Sequence, residues 1–122
     1  MITILPDTEG KALVAEASEK LTTKDYEEVF LPKLDELIHQ YGKIRMAFYL
    51  DDSFAGWEPG AMWDDAKYGL AHRKDFERIA IVGGPRWVEW MTKLGAHFMP
   101  AEVRTFAKPA LPEAIKWVKE AA

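Results

Sequence analysis

Hydrophobic and polar positions repeat with two different periods along this chain, and the period changes at prolines and glycines. Ile2 to Leu5 and Ala12 to Ala17 are apolar segments around Pro6-Asp7-Thr8-Glu9-Gly10, a cluster that favours chain reversal, so the start predicts a β-hairpin. Thr22 or Thr23 is placed to cap a helix in which Tyr26, Val29, Phe30, Leu34, Leu37, Ile38 and Tyr41 recur at helical steps until Gly42 ends it. Pro32 lies off that stripe and predicts a kink on the solvent side. Ile44 to Leu50 is nearly all apolar, as in a central strand covered on both faces, and Asp51-Asp52-Ser53 ends it. Pro59 to His72 reads as a second helix with Trp63, Ala66 and Leu70 on one face. Arg78 to Val82 reads as another buried strand. After Gly83-Gly84, Pro85 opens a third helix whose Trp87, Met91, Leu94 and Phe98, with Trp90 beside them, form an apolar stripe that calls for core packing. Val103 to Phe106 makes a last strand, and Pro112 starts a terminal helix carrying Ile115, Trp117 and Val118.

The order ββαβαβαβα predicts an α/β fold: a mixed sheet of about five strands with flanking helices, largely parallel, with the first hairpin strand antiparallel at one edge. The 122 residues, 48% of them hydrophobic, suit a single domain over 1–122 with one core. Sixteen Lys and Arg against twenty Asp and Glu, spread along the chain, give a net charge of −4, which argues against nucleic acid as a partner. With no cysteine there is no disulfide, thiol catalysis or Cys-ligated zinc. The start resembles no signal peptide and no window approaches the ~18 apolar residues of a membrane span, so a cytoplasmic location is expected.

Catalytic chemistry is thin in this sequence, and we expect no enzyme, no cofactor and no metal site. Ser18 and Ser53 have no histidine placed by a hydrolase motif, and His39, His72 and His97 lack the spacing that puts two imidazoles on one face. Asp51 and Asp52 follow a buried strand, where open α/β sheets hold ligands, but Ser53 stands where an aspartyl phosphotransferase carries its second Asp; the pair reads as a strand-ending turn. Gly83-Gly84-Pro85-Arg86 joins a strand to a helix, and Gly84 with Arg86 forms a candidate anion site, although a tight turn explains the same residues. The most unusual stretch is Phe54 to Trp63. Phe54, Trp57, Met62 and Trp63 crowd around Gly56 and Gly60, and one helical face cannot bury Ala61, Met62 and Trp63 alike. Either the indoles seal the core, or they leave surface for a ligand, a membrane or a second copy of the chain. Lys67, Arg73 and Lys74 stand nearby to meet anionic lipid.

Gly56-Trp57-Glu58-Pro59-Gly60-Ala61-Met62-Trp63, His72-Arg73-Lys74-Asp75-Phe76-Glu77-Arg78-Ile79-Ala80, Trp87 through Gly95, and Pro100-Ala101-Glu102-Val103-Arg104 together resemble the bacterial SpoIIAA-like proteins of the STAS/CRAL-TRIO type. The resemblance spans nearly the whole chain and implies the same α/β fold. Its STAS side implies a protein-interaction module of the anti-sigma-factor-antagonist type, switched by a phosphorylated serine at a helix start. Here Trp57-Glu58-Pro59-Gly60 occupies that region without a hydroxyl, so the usual switch is missing. Its CRAL-TRIO side implies an apolar ligand held between the sheet and a mobile gate helix. On that reading Phe48, Phe54, Trp57, Met62, Trp63, Ala66 and Leu70 contact a small amphiphile or lipid. Gly56 and Gly60 permit hinge motion, and the protein attaches peripherally to the inner face of the membrane. A homodimer is the further expectation from leftover aromatic surface.

Overall fold

A computed structural model describes residues 1–97 and 99–120. Strands β1 (Ile2–Ile4) and β2 (Ala12–Ala17) form the expected antiparallel hairpin. A short β3 (Lys20–Leu21) leads into α1 (Thr23–Asp25), a π-helical turn (Tyr26–Phe30) and α2 (Leu31–Tyr41). There follow β4 (Ile44–Leu50), β5 (Gly56–Trp57), α3 (Pro59–Ala71), β6 (Phe76–Gly83), α4 (Arg86–Ala96), β7 (Glu102–Phe106) and α5 (Leu111–Lys119). The main sheet runs β1-β2-β4-β6-β7, parallel except for β1 at its edge.

Strand side chains alternate between two faces, and the alternation sorts the core into two layers. Leu13, Phe48 and Ile79 point to the side of α2, α3 and α4, where they meet Tyr26, Phe30, Leu34 and Leu37. Val14, Ala47, Ala80 and Val82 point to the other side and are covered by Trp117 and Val118 of α5. Trp117 is further held between the guanidinium groups of Arg78 and Arg104, 5.0 and 5.1 Å from its ring centre.

The α5 side also carries a buried charge. Arg45, on central strand β4, is 3% exposed. Between the Ile44–Phe76 and Arg45–Arg78 pairs, β6 has one residue more than β4, and that bulge residue is Glu77. Its Oε1 accepts from Arg45 Nε at 3.1 Å and pairs with Lys11 Nζ at 2.7 Å. Arg45 Nη1 donates to the carbonyls of Val118 and Glu120, which end α5. One guanidinium therefore ties the central strand, a sheet bulge and the last helix together, with its charge matched by a carboxylate and its donors by carbonyls that the helix leaves free.

Four expectations change. Pro32 stays at the surface, but the irregularity is the π turn before it, where the Leu31 N–H reaches back to the Tyr26 carbonyl. The wider turn carries the backbone away from the proline ring, which would otherwise strike the carbonyl four residues back. Val29 and Tyr41, part of the predicted stripe, are exposed. The aromatic segment contains a strand, β5, paired in parallel with β3, too short for periodicity to reveal. The largest change concerns α3 and α4: the stripes read as core faces do not pack on the sheet. Ala61 is the buried residue of α3 and Val88 that of α4, while Trp63, Leu70, Trp87, Trp90, Met91 and Leu94 are exposed. Phe98, the last residue of the predicted α4 stripe, lies outside the described residues.

Candidate functional site

Between the sheet and the two helices lies a cavity of about 540 Å³, which Leu70 and Met91 of those stripes help to line. Its floor is the outward row of the central strands: Met46, Phe48 and Leu50 of β4, Ile79 and Ile81 of β6, and Val103 of β7. Phe30, Leu31 and Leu34 close one side, Met62, Ala66 and Leu70 of α3 another, and Val88 and Met91 of α4 a third. The volume lies within the ~300–1,000 Å³ of small-molecule sites, and the lining is almost wholly apolar, as in such sites.

Rotation of α3 decides which of its residues face the cavity, and its first turn fixes that rotation. Pro59 occupies the first turn, and Gly60 lies so close to α1 that a Cβ there would strike the Thr23 hydroxyl. Gly60 is thus a close-packing position with no positive φ, whereas Gly56, at φ +101°, holds a backbone shape that suits glycine. With Ala61 packed down, the positions four and seven residues on, Asp65 and Tyr68, turn inward too.

Five of the seven predicted ligand-binding residues, Phe48, Trp57, Met62, Ala66 and Leu70, line the cavity. Two do not. Phe54 packs edge-on against Trp57, with ring centres 5.0 Å apart, and reaches Trp87 at 6.4 Å on the far side of the cavity wall. Trp63 is 65% exposed and is not part of the cavity lining. Asp65, Tyr68, Arg73 and Thr92 also line the cavity and were not anticipated. Registering α3 on Ala61 rather than on its largest residues would have found Asp65 and Tyr68.

A hydrogen-bond chain runs along the wall. Trp57 Nε1 donates to the Tyr26 hydroxyl at 2.8 Å, and Tyr26 donates to Asp65 Oδ1 at 3.0 Å. The direction is fixed, since an indole N–H only donates and the one phenolic hydrogen must go onward. Loss of hydration raises the Asp65 carboxyl above the ordinary carboxylate range, with the Tyr26 bond only partly offsetting it. Burial, followed by the Asp65 charge, likewise raises Tyr26.

The remaining ties of α3 are also polar. Tyr68 donates to Asp35 of α2 at 2.7 Å, and its ring stacks on His72 at 4.3 Å. The neighbouring Asp64 carboxyl raises the Glu27 carboxyl above its ordinary range. With a single buried apolar residue, α3 is anchored at its first turn and by side-chain hydrogen bonds, a combination that opens more readily than a packed core helix.

At the carboxyl ends of β4, β6 and β7 lies a second, more polar crevice of about 670 Å³, which contains Gly84 and Arg86 as well as Phe54. Its turn geometry is explained internally. Gly83 and Gly84 adopt φ +76° and +85°, and a Cβ on either would come within 2.7 Å of Leu50. Asp51 Oδ1 accepts from both the N–H and the hydroxyl of Ser53, whose Oγ in turn accepts from the Glu19 N–H. Asp52 pairs with Lys108. These contacts fit the strand-ending turn read from Asp51-Asp52-Ser53. Among the described residues no three His, Cys, Asp or Glu side chains converge as metal ligands, and no helix is long and apolar enough to cross a membrane.

The geometry has known counterparts. An uncharacterised protein of the DUF3478 family with a SpoIIAA-like fold, from Shewanella loihica PV-4, superposes with a TM-score of 0.78 at 30% identity, over 96% of this chain and 93% of its own. Among curated proteins there is no match. The SpoIIAA-like family model matches residues 12–119. Folds of this type generally serve as binding or interaction modules rather than as catalysts. Sequence and fold agree: the chain belongs to the SpoIIAA-like family.

Proposed function

We propose that the protein binds an amphiphilic, lipid-like molecule in the cavity between the sheet and helices α3 and α4, without catalysis, and reaches membranes through the outer faces of the same helices. One observation carries the first part: an apolar cavity of about 540 Å³ lies beneath a helix that is secured by one buried alanine and a few hydrogen bonds. The apolar walls facing that space gain dispersion contacts from an apolar molecule lying against them. Mass spectrometry of protein purified without detergent is expected to find one apolar molecule per chain, released on unfolding. Protein that carries none, and that takes up no uncharged apolar dye, contradicts this reading.

The membrane part rests on Trp63 and Trp90, 65% and 67% exposed, with Leu70 and Leu94 on the same two helices and Lys67 and Arg73 beside them. Of the two helices α4 has the amphipathic pattern, and an apolar helix face of that kind can lie in the headgroup boundary. In flotation with vesicles containing phosphatidylserine, Trp63→Ala with Trp90→Ala is expected to weaken association at least ~tenfold, since each indole withdraws ~1.5 kcal/mol or more of apolar burial. Equal flotation of wild type and variant, or none by wild type, removes the membrane from the proposal. The same exposed faces favour, as a second reading, contact with a partner protein or a second copy of the chain; light scattering at increasing concentration distinguishes the self-associating case.

A further inference from the structure

The cavity's few polar groups can be accounted for one at a time. Trp57 spends its N–H on Tyr26, Tyr68 its hydroxyl hydrogen on Asp35, and Thr92 its own on the Val88 carbonyl at 2.8 Å. Asp65 uses Oδ1 to accept from Tyr26, and among the described residues nothing in the protein meets Oδ2. Arg73 also lines the cavity, beyond the far end of α3, without a hydrogen bond or ion pair among the described residues. Asp65 lines the cavity and is exposed on its open side.

We propose that Asp65 Oδ2 is the anchor for a hydroxyl group, so that the ligand is a lipid alcohol: a long apolar body with a free, uncharged hydroxyl. This rests on the cavity's being a ligand site and adds which ligand it selects. Among the described residues, the Trp57–Tyr26 chain occupies Oδ1 and leaves Oδ2 as the free acceptor on the cavity wall, with Arg73 as the free donor at its far end. A hydroxyl both donates and accepts, so it satisfies Oδ2 whether the carboxyl is ionised or protonated. A fatty-acid anion can only accept, and it repels an ionised Asp65. An ammonium can only donate, so it needs the ionised form and a buried ion pair that barely breaks even. The Asp65 carboxyl thus selects against a fatty-acid anion, and Arg73 is the one lining group that would favour it.

The test displaces the uncharged dye Nile red from the whole protein with three probes of one chain length: 1-dodecanol, dodecanoate and dodecylamine at pH 8. Wild type is expected to prefer dodecanol over dodecanoate about tenfold, the worth of one hydrogen bond to a group otherwise left unpaired. Asp65→Leu abolishes that preference while Nile red still binds, and Asp65→Asn, which keeps a donor and an acceptor, restores most of it. Equal binding of alcohol and acid overturns the proposal, as does a preference unchanged in Asp65→Leu. Tightest binding of dodecanoate, lost in Arg73→Leu, places headgroup recognition at Arg73 instead. Tightest binding of dodecylamine, lost in Asp65→Asn, makes the site one for cations. If the dye itself does not bind, the cavity is not a ligand site and both readings fall; the other negative outcomes leave the cavity's role intact and remove only the alcohol.

Discussion

Glu77→Gln is expected to destabilise the fold by about 2 kcal/mol, measured by chemical denaturation at pH 7. The substitution keeps shape and hydrogen-bonding atoms but leaves the 3% exposed Arg45 guanidinium without a countercharge. Breaking a fully buried pair costs ~3–5 kcal/mol; Glu77 is 29% exposed, so water screens part of the interaction and the lower figure applies. The pH dependence has a definite sign. Hydrogen bonds from Lys11 and then Arg45 hold the Glu77 carboxyl below its ordinary range. A group whose native pKa is depressed adds stability above its unfolded pKa and loses it as pH falls through the native one. The gap between wild type and Glu77→Gln should therefore be full near neutrality and close in acid. A loss under ~0.5 kcal/mol, or a gap that persists unchanged into acid, would show that Arg45 does not depend on the Glu77 charge.

Met46→Trp is expected to abolish ligand binding without unfolding the protein. Met46 sits on the cavity floor in central strand β4 and is only partly buried, so an indole can extend into existing space rather than overpack a filled core. Nile red affinity should fall more than ~tenfold, while stability stays within about 1 kcal/mol of wild type or rises, because the added ring packs against the apolar cavity wall. Destabilisation by several kcal/mol would mean that the space is already filled by side chains. Retained dye binding with a stable fold would place the dye elsewhere, for instance on the exposed indoles of α3 and α4.

The sheet and its flanking helices were legible because buried parallel strands write themselves as apolar runs, and because Pro and Gly mark where they stop. Ile44 to Leu50 and Ile79 to Val82 could hardly be read otherwise. The Glu77 bulge was not legible, since a bulge adds one residue to a strand without altering its composition. The helices over the cavity were misjudged for a more informative reason. An apolar stripe such as Trp87, Met91 and Leu94 states that a face must be covered, not by what. Here the sheet does not cover it, and the same pattern that marks a core helix marks one waiting for an occupant or a surface. Asp65 escaped notice because nothing in its sequence neighbourhood marks it: its importance comes from Tyr26 and Trp57, 39 and 31 positions apart from their partners in the chain.

Of the five tryptophans, Trp117 is a core residue of the α5 layer, and Trp57 lines the cavity while orienting Tyr26. Trp87 leans on Trp57, with ring centres 5.7 Å apart, and so couples α4 to the cavity wall. Trp63 and Trp90 face outward. Trp57 thus belongs to the cavity wall, with Trp87 packed against it, and Trp63 and Trp90 to the exposed surface of α3 and α4.

The central claim is that the space between the sheet and α3–α4 takes up an apolar molecule, and methyl-resolved NMR during titration with 1-dodecanol tests it most directly. The account predicts saturable shifts at Met46, Ile79, Ile81 and Val103, on the cavity floor, with Val14, Val82 and Val118, behind the sheet, unmoved. No saturable shift at the floor methyls, or shifts confined to the exposed Leu70 and Leu94, would contradict it.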